Sequence, residues 1–552
     1  NGNNTYSEIA QLSGIGKTDW SWAPLFFDMD LDGKKDLFIS NGIKENFLYR
    51  DIMSEVDKKQ KLLKRQLHLE ELLEIVPTDI SANNAFQNIG NFKFKDVSSS
   101  WIMNSRVNSN GAAYGDLDND GDLDLVLNHM DAEASIYNNT TNLDKVNFIK
   151  IKLKGDINNT FAIGAKVEVT TNSETQIQEL HNARGYLSSM SHELLFGTGD
   201  HDEISNIKVI WNSNRITELN NIKANQTLVL NYDESTEFDE SSINKKDLFQ
   251  ELELNKLNIE YHHLENKYND YSKQTLLPQK QSTQGPCLSV GDVNGDKLED
   301  FFLGGGPKQS GVLYIQKSNG TFKNTQNSAF IIDKDHEDVE SLFFDSDNDG
   351  DLDLYVSSSG YELAEDNNLL QDRLYINDGK GNFKRGNKLP IMLSSTKAVK
   401  SVDYDSDGDL DLIIGGRVIP GKYPLAPQSF ILENNQGNFT NVTQDIAPDF
   451  ERIGMVTDIE ITDYNNDNSL DIMVVGQWMQ LTIFSFENEK FVKKIIPEFD
   501  KTEGWYFAIT SEDFDKDGDM DYVLGNLGLN NKFHPTLEKP LHIFSNNFDD
   551  NT

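Results

Sequence analysis

The chain has 552 residues, 90 of them Asp or Glu and 50 Lys or Arg, for a formal net charge of -40. That is too long for one hydrophobic core, so roughly two to four domains are expected. With 25% charged and 37% hydrophobic residues the balance is globular. The charge excludes nucleic acid or an anionic membrane surface as the main partner. The single Cys287 excludes an internal disulfide framework, and no apolar run reaches the ~18 residues of a membrane-spanning helix.

The chain opens on "NGNNTYSEIA", with neither an initiator Met nor a signal peptide, and stops on "NNFDDNT". We therefore expect an internal segment of a longer protein, with any targeting signal or anchor outside it. The first strong element is "DMDLDGKKDLFIS", whose alternate positions are Asp28, Asp30, Asp32, Lys34 and Asp36. Next, "DIMSEVDKKQKLLKRQLHLEELLEIV", residues 51–76, has Leu at heptad-like spacing and predicts a helical insertion packed on its neighbours. "DLDNDGDLDLVLN" then repeats the first pattern with Asp116, Asp118, Asp120, Asp122 and Asp124.

Residues 146–232 lack such a loop and alternate in β fashion ("FIKIKLKG", "AKVEVTT", "NIKVIW", "QTLVLNY"), predicting a separate all-β, sandwich-like domain. Residues 233–285 are polar and acidic and read as a linker lying over its neighbours. The aspartate loop then returns five times, at intervals of 50 to 60 residues. Its alternate positions are Asp292, Asn294, Asp296, Leu298 and Asp300, then Asp345, Asp347, Asp349, Asp351 and Asp353. Asp403, Asp405, Asp407, Asp409 and Asp411 follow, then Asp463, Asn465, Asp467, Ser469 and Asp471, and last Asp513, Asp515, Asp517, Asp519 and Asp521. An Asn/Gly turn ending in an aromatic trails the loops ("NGTF", "GKGNF", "NQGNF", "ENEKF"). Repeats of this length, built of short strands and turns, predict propeller blades. Residues 1–145 and 286–552 thus read as the blades of two propellers, both incomplete in this segment.

Alternating carboxylates before a tight turn can wrap one hard cation. Calcium takes about 6–8 oxygens. Positions 1, 3, 5 and 9 of each loop offer side-chain oxygens and position 7 a carbonyl, with Gly at position 6 in five loops to allow the turn. No Cys or His sits in the loops, which argues against zinc and copper, and up to seven calcium ions are expected. The loops at 292 and 463 have Asn at position 3 and no Gly at position 6, predicting weaker binding. An EF-hand needs Glu at position 12. That position holds Ile39, Leu127, Leu303, Val356, Ile414, Val474 and Leu524, all apolar, inside runs that predict strands buried on both faces.

These loops and strands resemble the FG-GAP/VCBS repeats of integrin α-subunit propellers and bacterial surface proteins. The middle domain resembles ASPIC/UnbV domains through "FAIGAKVEV" (161–169), "ARGYLSS" (183–189), "LLFGTG" (194–199) and "ISNIKVIWNSNRI" (204–216). Asn212 and Asn214 replace the usual Pro and Gly after that Trp. The resemblance implies a surface or secreted protein of a Gram-negative bacterium, lipid-anchored and associated with TonB-dependent nutrient uptake in the outer membrane. It implies no known reaction.

Outside the loops, His262, His263 and Glu265 read as packing or surface groups, and Arg184 as a structural anchor. Trp20, Trp22, Trp478 and Trp505 read as core or rim packing, with a sugar-stacking platform as the alternative. No phosphate loop, nucleophile elbow or HExxH helix is present, and no catalytic residue is assigned. The preferred reading is a binding or accessory module whose partners are other outer-membrane or surface proteins, with a glycan or peptide as further ligand. The alternatives are an extracellular enzyme acting on a glycan or other polymer, and an adhesin.

Overall fold

The structure, a computed structural model, describes residues 6–45, 49–76, 80–101, 106–172, 174–212, 215–237, 249 and 251–546. Asn214 and residues 238–248 and 250 of the polar stretch lie outside the described residues. The chain divides into two units, residues 1–246 with 529–532, and residues 247–528 with 533–552.

In the first unit, β1 (Ser21–Phe27), β2 (Asp36–Asn41), β3 (Asn84–Asn88) and β4 (Phe94–Asp96) form one antiparallel sheet in sequential order. The predicted insertion lies between β2 and β3 as two helices, Arg50–Leu63 and Leu69–Leu73. They are separated where Lys64 turns left-handed at φ 52°. A second sheet joins β5 (Ser109–Gly115), β6 (Asp124–His129) and β7 (Ser135–Tyr137).

The middle region is a two-sheet sandwich. Its strands are β8 (Asn147–Lys154), β9 (Lys166–Thr171), β10 (Glu174–Glu179), β11 (Glu193–Gly199), β12 (Glu203–Trp211), β13 (Arg215–Lys223), β14 (Gln226–Asn231) and β15 (Thr236–Glu237). One sheet runs β10-β9-β12-β13-β15 and the other β11-β8-β14, with β14 parallel to β8. Alternation does the work: Ile149, Ile151, Val167, Val169, Phe196, Ile207 and Val209 all point into one core.

The second unit holds blade after blade. β16 (Leu288–Gly291), β17 (Asp300–Leu303), β18 (Val312–Gln316) and β19 (Phe322–Asn324) form the first. β20 (Glu337–Phe344), β21 (Asp353–Ser359), β22 (Arg373–Ile376) and β23 (Lys384–Arg385) form the next. β24 (Ser395–Val402), β25 (Asp411–Val418), β26 (Phe430–Asn435) and β27 (Asn438–Asn441) follow. A fourth blade is β28 (Met455–Thr462), β29 (Asp471–Met479), β30 (Thr482–Glu487) and β31 (Lys490–Lys493), and β32 (Gly504–Glu512) pairs with β33 (Asp521–Asn526) as a hairpin.

The first strands of neighbouring blades touch, β16 to β20 to β24 to β28 to β32. Each aspartate loop joins the first strand of a blade to its second. The apolar run after the loop is therefore one step out from these first strands, and β21 and β25 are buried at every residue, as that run predicts. β33 differs, being mostly half-buried or exposed, because no further blade covers it among the described residues. Residues 254–286 of the polar stretch are held on this unit: buried Asp270 accepts from the amides of Gln281 (2.6 Å) and Ser282 (2.9 Å), and Tyr261 donates to the Gly304 carbonyl at 2.5 Å.

Phe196 on β11 is fully buried in the core that both sheets of the sandwich share. Phe196→Ala is expected to cost about 3–5 kcal/mol, read as a lower urea midpoint for the first unit. An unchanged midpoint would count against the shared core.

Candidate metal centres

Each loop holds its own backbone. The position-5 carboxylate accepts from the position-7 amide in all seven, Asp32 from Lys34 at 2.8 Å and Asp467 from Ser469 at 2.8 Å among them. In six loops position 1 accepts from the position-6 amide, as Asp28 does from Gly33 (3.0 Å) and Asp345 from Gly350 (3.0 Å). These Asx-type bonds coil the chain so that carboxylates two residues apart face one centre. Position 4 turns left-handed in every loop, and position 6 does so at φ 91–108° in the five loops with Gly. The loops at 292 and 463 make the same turn with Lys297 (φ 68°) and Asn468 (φ 63°). A left-handed Lys costs about 1–2 kcal/mol that Gly does not.

Position 9 has a second role that the ligand pattern alone does not reveal. Its carboxylate accepts from the position-2 amide in all seven loops: Asp36 from Met29 (3.0 Å), Asp124 from Leu117 (2.8 Å), Asp411 from Tyr404 (3.1 Å) and likewise the rest. In five, the other oxygen takes an amide on or just past the third strand: Asn88, Asn139, Gln316, Asn377 and Asn434, at 2.7–2.9 Å. The residue thus clamps three strands of its blade to the loop. It is fully or almost fully buried at Asp36, Asp124, Asp300, Asp353, Asp411 and Asp471.

Three of those partners carry the joint onward. The Asn377 side-chain amide donates to the Leu352 carbonyl of its own loop (3.0 Å) and to Val293 in the loop of the preceding blade (2.8 Å). Asn434 does the same with Leu410 (3.0 Å) and Ser346 (2.9 Å), and Asn139 with Leu123 (3.2 Å) and Met29 (2.8 Å). Sequence reasoning overlooked these asparagines. The available signal was an Asn closing each short strand after the loop, in "SIYNN", "RLYIND" and "FILENN".

Five loops bring three carboxylates together with one oxygen of each within 4.8 Å of the others: Asp28/Asp30/Asp32, Asp116/Asp118/Asp124, Asp345/Asp347/Asp349, Asp403/Asp405/Asp411 and Asp513/Asp515/Asp521. The loops at 292 and 463 form no such group. There Asp292 is engaged by the amides of Asn294, Gly295, Asp296 and Lys297, at 2.7–3.3 Å. The all-oxygen donor sets suit a hard cation. Buried oxygens without a partner at Asp28 Oδ1, Asp345 Oδ1 and Asp347 Oδ1 fit one as well. Position-7 side chains add to the crowding: Asp351 has a buried oxygen without a partner. Burial first, then the neighbouring aspartates, push Asp122 up to about 7. Burial also lifts Asp36 and Asp411 to about 7, against the pull of their amide partners.

Elsewhere the structure disperses the candidates. His263 pairs with Glu265 (2.8 Å), while the His262 side chain is exposed. Arg184 donates to the Glu179 carbonyl at 3.0 Å, a structural contact. Trp478 meets Trp505 edge-on, with ring centroids 5.1 Å apart, and donates to the Tyr423 hydroxyl (2.6 Å). Trp22 packs on Tyr186 at 4.6 Å, and the Trp20 carbonyl accepts from the Gly42 amide. Cys287 is buried, and burial raises its thiol pKa.

Asp353→Ala strands two buried amides and is expected to cost about 2–5 kcal/mol with or without calcium. Asp347→Asn should lower the melting temperature only in calcium; an equal loss in chelator would refute this division of labour. The raised carboxyl pKa values also fix a pH trend. Between about 4 and 7 the folded state of the calcium-free protein holds more protons than the unfolded one, so stability must fall as pH rises. Calcium should flatten or invert that slope in urea titrations.

Residues 155–237 match the family model described as ASPIC and UnbV, and residues 292–356 and 463–524 match that of the FG-GAP-like repeat. No curated protein matches the chain. Among solved structures, a six-bladed β-propeller fungal lectin from Aleuria aurantia is 7% identical, covering 69% of this chain and 88% of its own, with a TM-score of 0.27. A putative exo-beta-1,3-galactanase from Bifidobacterium bifidum is 10% identical over 37% of this chain and 70% of its own, with a TM-score of 0.22. Likeness this distant carries neither ligand nor activity across. The chain carries an ASPIC/UnbV domain together with FG-GAP-like repeats on an all-β, blade-built fold.

Proposed function

We propose that the chain is a calcium-stabilised binding or accessory module, exposed at the cell surface and partnering an outer-membrane TonB-dependent uptake complex. The coarser part follows from the matched families: FG-GAP-like repeats with an ASPIC/UnbV domain suggest a cell-surface or extracellular β-propeller protein. The observation that supports the calcium part of this reading is the set of five three-carboxylate groups at the joints between strands, three of which hold buried oxygens without a partner. Carboxylates committed to a cation stay ionised and are poor general acids. Among the described residues, groups of three or more carboxylates, His or Cys close enough to hold an ion fall only in these loops. Up to seven ions would bind, more weakly at the loops starting at 292 and 463.

Excess chelator is expected to lower the melting temperature by roughly 5 °C or more, corresponding to at least about 1 kcal/mol at the midpoint, with calcium restoring it. An unchanged curve would remove the calcium reading. Purification from native outer membranes in calcium should retain a TonB-dependent transporter, and chelator should release it. Turnover of a glycan by the purified chain would instead favour the enzyme.

A further inference from the structure

The loop at 116–124 differs from the other six. Its position-1 residue, Asp116, is ion-paired with Lys150 of β8 in the ASPIC/UnbV domain, and both side chains are nearly buried, at 4% and 8% exposure. Among the described residues no other position-1 aspartate of a loop has an ion pair. The one other loop pair, Lys34 with Asp32, is largely exposed. Strand alternation explains the placement: Ile149 and Ile151 face the sandwich core, so Phe148 and Lys150 face the loop. A Cβ on Gly121, the position-6 glycine, would come within 2.2 Å of the Phe148 ring, so the strand lies directly on the turn.

The donors for a cation nevertheless remain. Oxygens of Asp116, Asp118 and Asp124 lie within 4.8 Å of one another, and Asp116 Oδ1 and both Asp122 oxygens are buried without a partner. A buried carboxylate in that state calls for a cation. One ammonium on one oxygen leaves the others unmatched. Glu193 of β11, whose Oε1 pairs with Lys152 at 2.6 Å, turns its Oε2 towards the Lys150 ammonium at 3.9 Å, a second acid on which Lys150 can settle.

We infer that Lys150 sets the calcium affinity of this loop: its ammonium holds Asp116 to the ASPIC/UnbV domain, and calcium binding there requires it to leave Asp116 for Glu193. Occupancy of this loop is thereby coupled to the domain's grip on the blade through an ion pair; the loop at 28–36 also meets that domain, but through the Gly199 amide on the Leu31 carbonyl rather than through a charge on its position-1 aspartate. The inference rests on the calcium reading of the loops. It adds that one of them is tuned from a neighbouring domain.

Calcium titration of the full chain by calorimetry or native mass spectrometry tests it. Lys150→Gln, which keeps most of the side chain and removes the charge, should show one site tightened at least about tenfold, the value of a charge-assisted bond no longer in competition. Identical calcium binding in Lys150→Gln and the wild type overturns the inference, and no binding in either sinks the calcium reading with it. Asp116→Asn covers the case in which Lys150→Gln folds poorly. In chelator it should melt below the wild type, because the ion pair is lost, and by more than Asp403→Asn, whose position-1 carboxylate accepts backbone amides but has no ion pair. Equal melting of Asp116→Asn and the wild type in chelator also overturns the inference.

Discussion

The blades of this protein depend on one repeated contact: a buried aspartate carboxylate that accepts the amide at the head of its loop and, in five loops, an amide of the third strand. An isolated four-stranded sheet has no reason to keep its first connection at one height relative to its third strand. The position-9 aspartate imposes that height. Because the carboxylate is buried in six of the seven loops and its main partners are backbone amides, joined at Asp353 by the Ser346 hydroxyl, the arrangement is intolerant of a missing partner. At three joints an asparagine amide then passes the alignment to the preceding blade, so the loop faces there share a hydrogen-bonded seam.

That seam concentrates negative charge. Five of the seven loops bring three carboxylates to a common centre, with amides behind them and no protein cation in front at most of these sites. Amide bonds steady the loop backbone but cannot offset mutual repulsion among ionised groups a few ångströms apart. The alternatives are protonation, favoured where burial lifts a carboxyl to about 7, or a bound cation. Under the calcium reading proposed above, a bound cation would keep these carboxylates charged at neutral pH while offsetting their mutual repulsion.

Much of this was legible beforehand. Alternating aspartates, with Gly at position 6 in five of them, identified the loops, and the apolar run after each placed a strand, buried throughout at β21 and β25 but only partly at β6 and β17 and least at β33. β-alternation in "FIKIKLKG" and "NIKVIW" placed the sandwich, and heptad leucines placed the insertion, though not the break at Lys64. The loops at 292 and 463 differ as their sequences suggest, down to the left-handed Lys297 where Gly is missing. Asn377, Asn434 and Asn139 escaped notice because asparagine at a strand end is ordinary turn chemistry, and its partner lies in another blade.

The sequence by itself determined the period of the repeat, the residue types around each candidate ion and the face each strand buries, because these depend on spacing of two residues along an extended chain. Only the tertiary structure decided which carboxylates spend an oxygen on amides, which loops stand open, and which one meets Lys150. Those outcomes turn on which strand of which neighbour lies opposite, and contacts between residues such as Asp116 and Lys150, or Asn377 and Val293, leave no mark in local pattern.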